Sequence, residues 1–440
     1  MDVVTPWLIR PTTARSGLPR EPPRISGLDG GHVQPSEIGI GGAVKKPATP
    51  TGSRAAHIAK LGDLADEASL HRVSMLAWRD LDDPEAGGSE VHASTVASLW
   101  AEAGIEVTMR TSFAAGQPQM SWRNGYRVIR KAGRYMVFPR AAFSEMMGWH
   151  GGKDGLVEIW NGMPFFSPMW ARTPHVTWLH HVHADMWDMT LGPRLGKAGR
   201  ILEARVAPKI YGHTPIVTLS KSSKHELIHD LHFKERLVHV VPPGIDPRFC
   251  EGGKKSDVPL VVAVGRLVPV KRFDLLIDAL LQIHDRHPTM QAIIVGEGYR
   301  RQDLESQITQ AGAHEWIQMP GRISDEEVLD LYRRAWVLSS GSAREGWGMT
   351  VTEAAACGTP AVVTRIAGHS DAVADGESGL LVEGRDELAG ALDRVLGDAE
   401  LRARLSQGAL RHAEQFTWAA TARGTLEVLA AEAIRRRGRP

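Results

Sequence analysis

Cysteine is nearly absent: Cys250 and Cys357 are the only two in 440 residues. They are too few and too far apart for a disulfide framework or a zinc site, and both read as small buried apolar residues. No stretch approaches the ~20 consecutive apolar residues that a membrane-spanning helix needs. The N-terminus also lacks the apolar core of a secretion signal. An excess of either charge is missing too. The 52 Lys and Arg residues balance 51 Asp and Glu, a formal net charge of +1, so no general field draws in nucleic acid. These absences leave the expectation of a soluble, cytoplasmic enzyme. Its length suits two domains with full hydrophobic cores, and its apolar fraction of 42% is ordinary.

The chain divides by texture. Residues 1–70 read as a disordered N-terminal segment, since Met1 to Ser53 is rich in Pro, Gly, Arg and Ser without sustained periodicity; a short helix over Arg54 to Leu70 is the one exception considered. From there apolar strands alternate with amphipathic helices. His71–Trp78, Ile105–Arg110, Leu156–Trp160, Val176–Leu179 and Ile216–Leu219 form one series. After Pro242-Pro243-Gly244-Ile245-Asp246 a second series begins with Leu260–Gly265, the helix Phe273–Ile283, Ala292–Gly296 and Ile317–Gly321. Such alternation predicts α/β architecture: two doubly wound, Rossmann-like parallel sheets covered on both faces. The expected parts are a first domain over 71–246, a linker over 247–257, a second domain over 258–418, and a helix with an Arg-rich, solvated tail over 419–440. Open sheets of this kind bind ligands at the carboxyl ends of their strands, here in the cleft between the halves.

One stretch carries most of the chemistry. Glu345 and Glu353 have seven residues between them, Gly346-Trp347-Gly348-Met349-Thr350-Val351-Thr352. Gly358 and Pro360 then end a short helix, and Ala361–Thr364 follows as a buried strand. This places Glu345 on the loop before the helix and Glu353 about one turn inside it. The N–H groups near Gly348, Met349 and Thr350 favour an anion. Carboxylates for hydroxyls beside an anion-binding helix end suit a ligand that carries both sugar and phosphate. The alternative, an ordinary strand-loop-helix with two surface glutamates, weakens once its neighbours are counted.

Those neighbours include Gly265-Arg266-Leu267-Val268-Pro269-Val270-Lys271, between a strand and a helix. Arginine offers a planar fork to two phosphate oxygens and lysine a compact charge, so Arg266 and Lys271 with a helix N-terminus balance a diphosphate. The first half supplies His180, His181 and His183 at a strand end. No companion Cys or Glu-x-x-His pattern supports a metal there, and a polar cleft wall that orients hydroxyls is the better reading.

With Gly87-Gly88-Ser89-Glu90, Asn161-Gly-Met-Pro-Phe-Phe166, His180, Thr218-Leu-Ser-Lys-Ser222, Pro243-Gly-Ile-Asp246, Arg266 with Lys271, Gly296-Glu-Gly298, Gly321-Arg322-Ile323 and the two glutamates in this order, the chain resembles the retaining glycosyltransferases of family 4. This is the glycogen-synthase and mannosyltransferase-like group with the two-domain GT-B architecture. The resemblance spans Arg72 to Arg435. Each motif alone is weak, but the ordered set is specific. Gly346-Trp347 departs from the Ser or Pro followed by Phe of many members, and the N-terminal segment lies outside the pattern.

The resemblance implies roles. Arg266 and Lys271 would hold the donor diphosphate and stabilise the leaving group. Glu345 would bind hydroxyls of the donor sugar, with the Trp347, Gly348 and Met349 backbone against it and Thr350 on phosphate. Glu353 would accept from the ribose hydroxyls. The loops at Gly296 and at Arg322 and Ile323 would border the base, and Gly87 and Gly88 would bring the first-domain backbone to the phosphates. His180 matches the family's cleft histidine, and with Arg266, Lys271 and Glu345 it completes the implied catalytic set. No cofactor and no metal is implied, the two cations standing where other transferases use a divalent ion. The partners implied are a nucleotide-diphosphate sugar and an acceptor sugar, lipid or small molecule. The basic run Arg194, Lys197, Arg200, Arg205, Lys209 adds a candidate contact with the inner face of a membrane, against the plainer reading of a solvated helix face. The alternatives are a nucleotide-sugar epimerase on the same architecture and a non-catalytic nucleotide-sugar binding protein. A dehydrogenase is disfavoured, because neither glycine pair sits in a full Gly-x-Gly-x-x-Gly with an acidic ribose partner.

Overall fold

The computed structural model describes residues 51–184 and 186–438. Two sheets organise them. The first has the order β3-β4-β2-β1-β5-β6-β7-β8, from β1 (Arg72–Leu76), β2 (Glu106–Thr111), β3 (Met120–Arg123), β4 (Tyr126–Arg130), β5 (Gly155–Trp160), β6 (His175–Leu179), β7 (Ile216–Thr218) and β8 (Val238–Val240). Its strands run parallel except β3, which pairs antiparallel with β4 at the edge. The second, all parallel, has the order β11-β10-β9-β12-β13-β14. It is built from β9 (Leu260–Val264), β10 (Gln291–Val295), β11 (Ile317–Gly321), β12 (Val337–Ser340), β13 (Ala361–Thr364) and β14 (Gly379–Val382). Central strands are buried along their whole length, as β5, β6 and β13 show. That burial is why they read as continuous apolar runs rather than alternating ones.

The winding creates the site. In the first sheet the chain reverses direction of travel at β1, between β2 and β5; in the second it does so at β9, between β10 and β12. Loops at such reversals splay apart and leave a crevice. The loop after β1 leads to Gly87 and Gly88, and the loop after β9 carries Arg266 and Lys271.

The ends of the chain differ from expectation. Of the segment 1–70 expected to be disordered, residues 1–50 lie outside the described residues, but Thr51–Ala68 forms a helix. Leu61, Ala65 and Ala68, spaced i, i+4, i+7, are buried on one side of it and join the first sheet's core. The final helix, Trp418–Arg437, follows the second lobe in sequence but packs on the first. Leu426, Leu429 and Ala433 sit in the first lobe's core, and Trp100 Nε1 donates to the Ala422 carbonyl (2.9 Å). Its arginines are only in part the solvated end expected: Arg435 and Arg437 are exposed and Arg436 is half-buried, but all three have partners. Arg436 donates to the Thr173 carbonyl (2.9 Å), Arg435 is bound by Glu432, and Arg437 reaches Ser69 (2.8 Å). Cations at a helix C-terminus also suit its dipole.

The chain therefore crosses between lobes twice, and the two crossings touch. Ile245 N–H donates to the Phe416 carbonyl (3.1 Å). A side chain at Gly244 would begin 2.1 Å from the Trp418 nitrogen, so only glycine fits there.

Candidate active site

Sequence places the short helix Met349–Ala356 with unusual care. Its N-cap, Gly348, has φ 101° and ψ 60°, a left-handed conformation that glycine adopts at little cost. At its other end Cys357 and Gly358 (φ 72°) turn the chain, and the Thr359 amide returns to the Ala354 carbonyl, delivering Pro360 to β13. At the head, the Met349 and Thr350 amides have no acceptor among the described residues. Opposite them begins a first-lobe helix, Gly88–Glu102. Its Gly88 and Ser89 amides likewise find no acceptor, because Glu90 Oε2 takes the Gly87 N–H instead (2.8 Å). A side chain at Gly88 would begin 3.0 Å from Met349 Sδ. Two positive helix ends, one from each lobe, thus face one another.

The two cations lie at this junction. Arg266 Nε is 3.8 Å from where a side chain at Gly87 would begin, and its guanidinium feels Arg79, Glu90, Glu85 and Glu345. Lys271 is ion-paired with Glu345, whose Oε1 also accepts from Ser342 Oγ (2.8 Å). Burial works against the Glu345 charge, but Lys271, His369 and the two hydrogen bonds outweigh it and hold the carboxyl down at about 2. It is therefore a fixed anion that accepts hydrogen bonds from hydroxyls and donates none.

Beneath runs a floor of backbone. Gly296 (φ 143°) has the Gly265 carbonyl 1.9 Å from where a Cβ would stand, and its amide donates to the Gly321 carbonyl (2.9 Å). The carboxyl ends of β9, β10 and β11 are thereby stitched together without side chains between them. Arg322 is exposed and Ile323 half-buried at this border.

Glu353 stands apart from the Lys271–Glu345 pair. Its Oε2 accepts from Tyr332 OH (3.4 Å). Burial pushes its carboxyl up to about 7, with the neighbouring Asp325 and Asp246 adding to the rise and Tyr332 and Arg248 opposing it. The structure thus brings Arg266, Lys271, Glu345, Gly87, Gly88, Gly348, Met349 and Thr350 together, and leaves Glu353 further along the same helix. The Trp347 ring belongs to the core, edge-on to Phe416 at 5.0 Å.

The His180 ring is 3% exposed, and the His180 carbonyl lies 2.5 Å from where a side chain at Gly346 would begin, next to Glu345. The ring Nε2 meets His92 Nδ1 (3.2 Å) on the first-lobe helix, because residues just past a strand end still alternate sides. Its neighbour His181 is the one that feels Glu345, Arg266 and Lys271. Among the described residues no cluster of His, Cys, Asp or Glu is arranged to hold a metal ion.

Two family models tile this architecture: Glycosyltransferase Family 4 over residues 86–249 and Glycosyl transferases group 1 over residues 247–412. The chain belongs to these glycosyltransferases. Among relatives, a D-inositol 3-phosphate glycosyltransferase of Stackebrandtia nassauensis is 32% identical over 52% of the chain and 56% of that protein. One from Jonesia denitrificans is 29% identical over 81% of the chain and 95% of the relative. The chain thus spans little more than half the length of the first of these and nearly all of the second. The fold matches sucrose-phosphate synthase from Thermosynechococcus elongatus with a TM-score of 0.69 at 19% identity, covering 83% of this chain and 98% of that one. It matches Anabaena HepE in complex with UDP and glucose with a TM-score of 0.65 at 19% identity, over 82% and 100%. This glycosyltransferase therefore has the GT-B fold.

Several parts of its site escaped sequence reasoning. His369 lies 3.0 Å from where a side chain at Gly348 would begin, with Nδ1 against the Thr364 carbonyl (2.9 Å). Asp371 accepts the Lys221 and Ser222 amides of the first lobe (2.9 and 3.0 Å), and Arg344 spans to Glu226 (3.2 Å). The available signal was Gly368-His369 in the loop that follows β13, four residues past Thr364, a glycine followed by a polar residue.

Proposed function

We propose that the protein transfers a sugar from a nucleoside-diphosphate sugar to an acceptor hydroxyl with retention of anomeric configuration. The observation that carries this reading is the meeting of two helix N-termini, four amides without acceptors, and Arg266 with Lys271. A diphosphate brings about two negative charges; two cations and two helix ends of roughly half a charge each supply about three positive ones, one of which the paired Glu345 carboxylate offsets. The Lys271–Glu345 pair is then the resting arrangement. With donor bound, Lys271 is shared between Glu345 and phosphate, while the ionised Glu345 accepts from sugar hydroxyls.

As the bond from the anomeric carbon to the diphosphate oxygen breaks, charge grows on that oxygen and oxocarbenium character on the sugar. Preorganised donors aimed at the departing phosphate supply most of the stabilisation. The acceptor hydroxyl attacks from the face the phosphate is leaving, and its proton passes to the departing phosphate oxygen. Arg266 and Lys271 occupy the role of a divalent ion, so the reaction proceeds in chelator. Glu353, further along the helix and easily protonated, suits the ribose hydroxyls, and the Gly296 and Arg322–Ile323 loops suit the base.

HepE with UDP and glucose supports testing uridine donors first, and the inositol-phosphate relatives support a phosphorylated cyclitol as first acceptor. No helix among the described residues is long and apolar enough to cross a membrane. The exposed Arg194, Lys197, Arg205 and Lys209, with Leu195, Ile201 and Val206 exposed among them, would allow a peripheral contact with an anionic membrane surface. Co-sedimentation with phosphatidylglycerol vesicles tests that contact.

The activity test is nucleoside-diphosphate release from a panel of nucleotide sugars, with and without acceptors, in the presence of chelator. Acceptor-dependent release supports transfer. Isomerised sugar from donor alone would make it an epimerase, and tight binding without turnover across the panel a sensor.

A further inference from the structure

Two contacts between the lobes meet on one first-lobe helix, Lys221–His229. Ser220 caps its head, its hydroxyl oxygen accepting from the Ser223 amide (3.1 Å). That leaves the Lys221 and Ser222 amides, and the second lobe supplies their acceptor. Asp371 takes the first on Oδ1 (2.9 Å) and the second on Oδ2 (3.0 Å), and Oδ2 also accepts from Ser222 Oγ. Ser222 Oγ in turn accepts from the Gly368 amide (2.9 Å). Further along the same helix Glu226 is held by Arg344 (3.2 Å), whose guanidinium also donates to the Val182 carbonyl (3.2 Å). A helix dipole favours a carboxylate at its N-terminus, and here that carboxylate comes from the other lobe.

The second-lobe segment that bears Asp371 is packed on the backbone around Glu345. Gly368, at φ 87°, has the Trp347 nitrogen 2.7 Å and the Glu345 carbonyl oxygen 2.8 Å from where a Cβ would stand. His369 is buried against Gly348 and helps to keep Glu345 ionised. Arg344 directly precedes Glu345. Both contacts thus run from the surroundings of Glu345 to one helix of the facing lobe. The amides without acceptors are divided in the same way, Gly88 and Ser89 in the first lobe and Met349 and Thr350 in the second. All four reach one diphosphate only while the lobes stay together. We propose that Asp371 is a positioning residue: it ties the first-lobe helix to the donor grip and so holds the lobes at the separation that transfer needs. Its effect on transfer rests on the donor reading above, whereas the tie itself is measurable without ligand.

Ligand-free wild type, Asp371→Ala, Asp371→Asn and Ser222→Ala are compared by small-angle X-ray scattering, with thermal unfolding as the check that each is folded. Asp371→Ala should have a larger radius of gyration than wild type, and Asp371→Asn, which keeps one acceptor oxygen, should lie between them. Turnover is then measured on the nucleotide sugar that gives most release in the panel above, and UDP and GDP affinities by calorimetry. Asp371→Ala should lower kcat about tenfold, the scale of losing hydrogen bonds to a charged acceptor. Diphosphate affinity should fall no more than about threefold, because both cations stay on the second lobe. Ser222→Ala should lose less, and its loss should shrink on the Asp371→Ala background, since paired residues couple. Should the alanine variant at 371 fail to fold, Asp371→Asn and Ser222→Ala carry the comparison. An unchanged radius of gyration would overturn the assignment, as would a larger radius with wild-type kcat, or diphosphate affinity that falls as far as kcat. A wild-type protein that binds no nucleoside diphosphate would instead remove the donor reading, while the scattering comparison would still decide the tie.

Discussion

Glu345 and Glu353 flank the head of one short helix, yet their surroundings drive them in opposite directions. Glu345 has a lysine, a serine hydroxyl and a nearby histidine, and stays ionised at about 2. Glu353 has a single tyrosine hydroxyl at 3.4 Å and the carboxylates of Asp325 and Asp246 in its field, and is pushed up to about 7. Burial opposes charge at both, so the difference is made by partners. A lysine within reach converts a buried carboxyl into a permanent anion, and its absence leaves one that takes up a proton near neutrality. The helix head is thus a charged grip tied to the leaving-group cations, and its body a softer polar contact.

The comparison breaks most sharply at Lys271. Lys271→Ala removes a charge-assisted contact worth about 1.5–3 kcal/mol, and should lower kcat/KM roughly ten- to hundredfold. It should also raise the apparent pKa of Glu345, visible as activity lost further up the acid side of the pH profile. Transfer at wild-type rates would end the role given to the lysine. Glu345→Gln keeps the shape but not the charge. It should cost about tenfold, and its effect should not add to that of Lys271→Ala, since directly paired residues couple. Additive losses would mean that the two act on different parts of the substrate.

Backbone comes next. Gly348→Ala places a Cβ 3.0 Å from His369 Cδ2 at φ 101°. The strain should cost about 1–3 kcal/mol, read as a Tm several degrees lower. An unchanged Tm would mean that the helix head does not need its left-handed cap.

The smallest effect concerns pH. A carboxyl whose folded pKa is raised keeps its proton in the native state after the unfolded chain has released it. Glu353 therefore favours folding least at high pH, and its contribution falls as pH rises from about 4.5 to about 7. Glu345 behaves oppositely: it stabilises above its ordinary pKa near 4.5, and that stability is lost as pH falls towards about 2. Tm measured between pH 4.5 and 8 should decline more in wild type than in Glu353→Gln. Parallel curves would contradict the raised value.

What could be read from the sequence followed the chain's own continuity. Gly265 to Lys271 and Glu345 to Pro360 each carry strand end, loop and helix start in consecutive residues, so turn and capping chemistry exposed them. The parallel strands were legible as apolar runs because both faces of each are covered. Long-range pairings were not. Nothing near residue 418 announces that Leu426 and Leu429 belong under the first sheet, or that Arg436 seeks the Thr173 carbonyl. The hairpin of β3 and β4 was missed although Asn124-Gly125, at φ 43° and 87°, is a strong turn signal. The resemblance singled out His180, but which neighbours His180 and His181 each meet depends on how the chain leaves β6. Ser342 and His369 acquire meaning only once β12 and β13 lie side by side.

The direct test of the account is calorimetric titration of UDP and GDP, in chelator, into wild type and the Arg266→Ala and Lys271→Ala variants. A single site in wild type, weakened about tenfold or more by either substitution while Glu353→Gln changes it less, is the expected result. Equal affinities in all of these proteins would contradict the claim that the facing helix ends and their two cations hold a diphosphate.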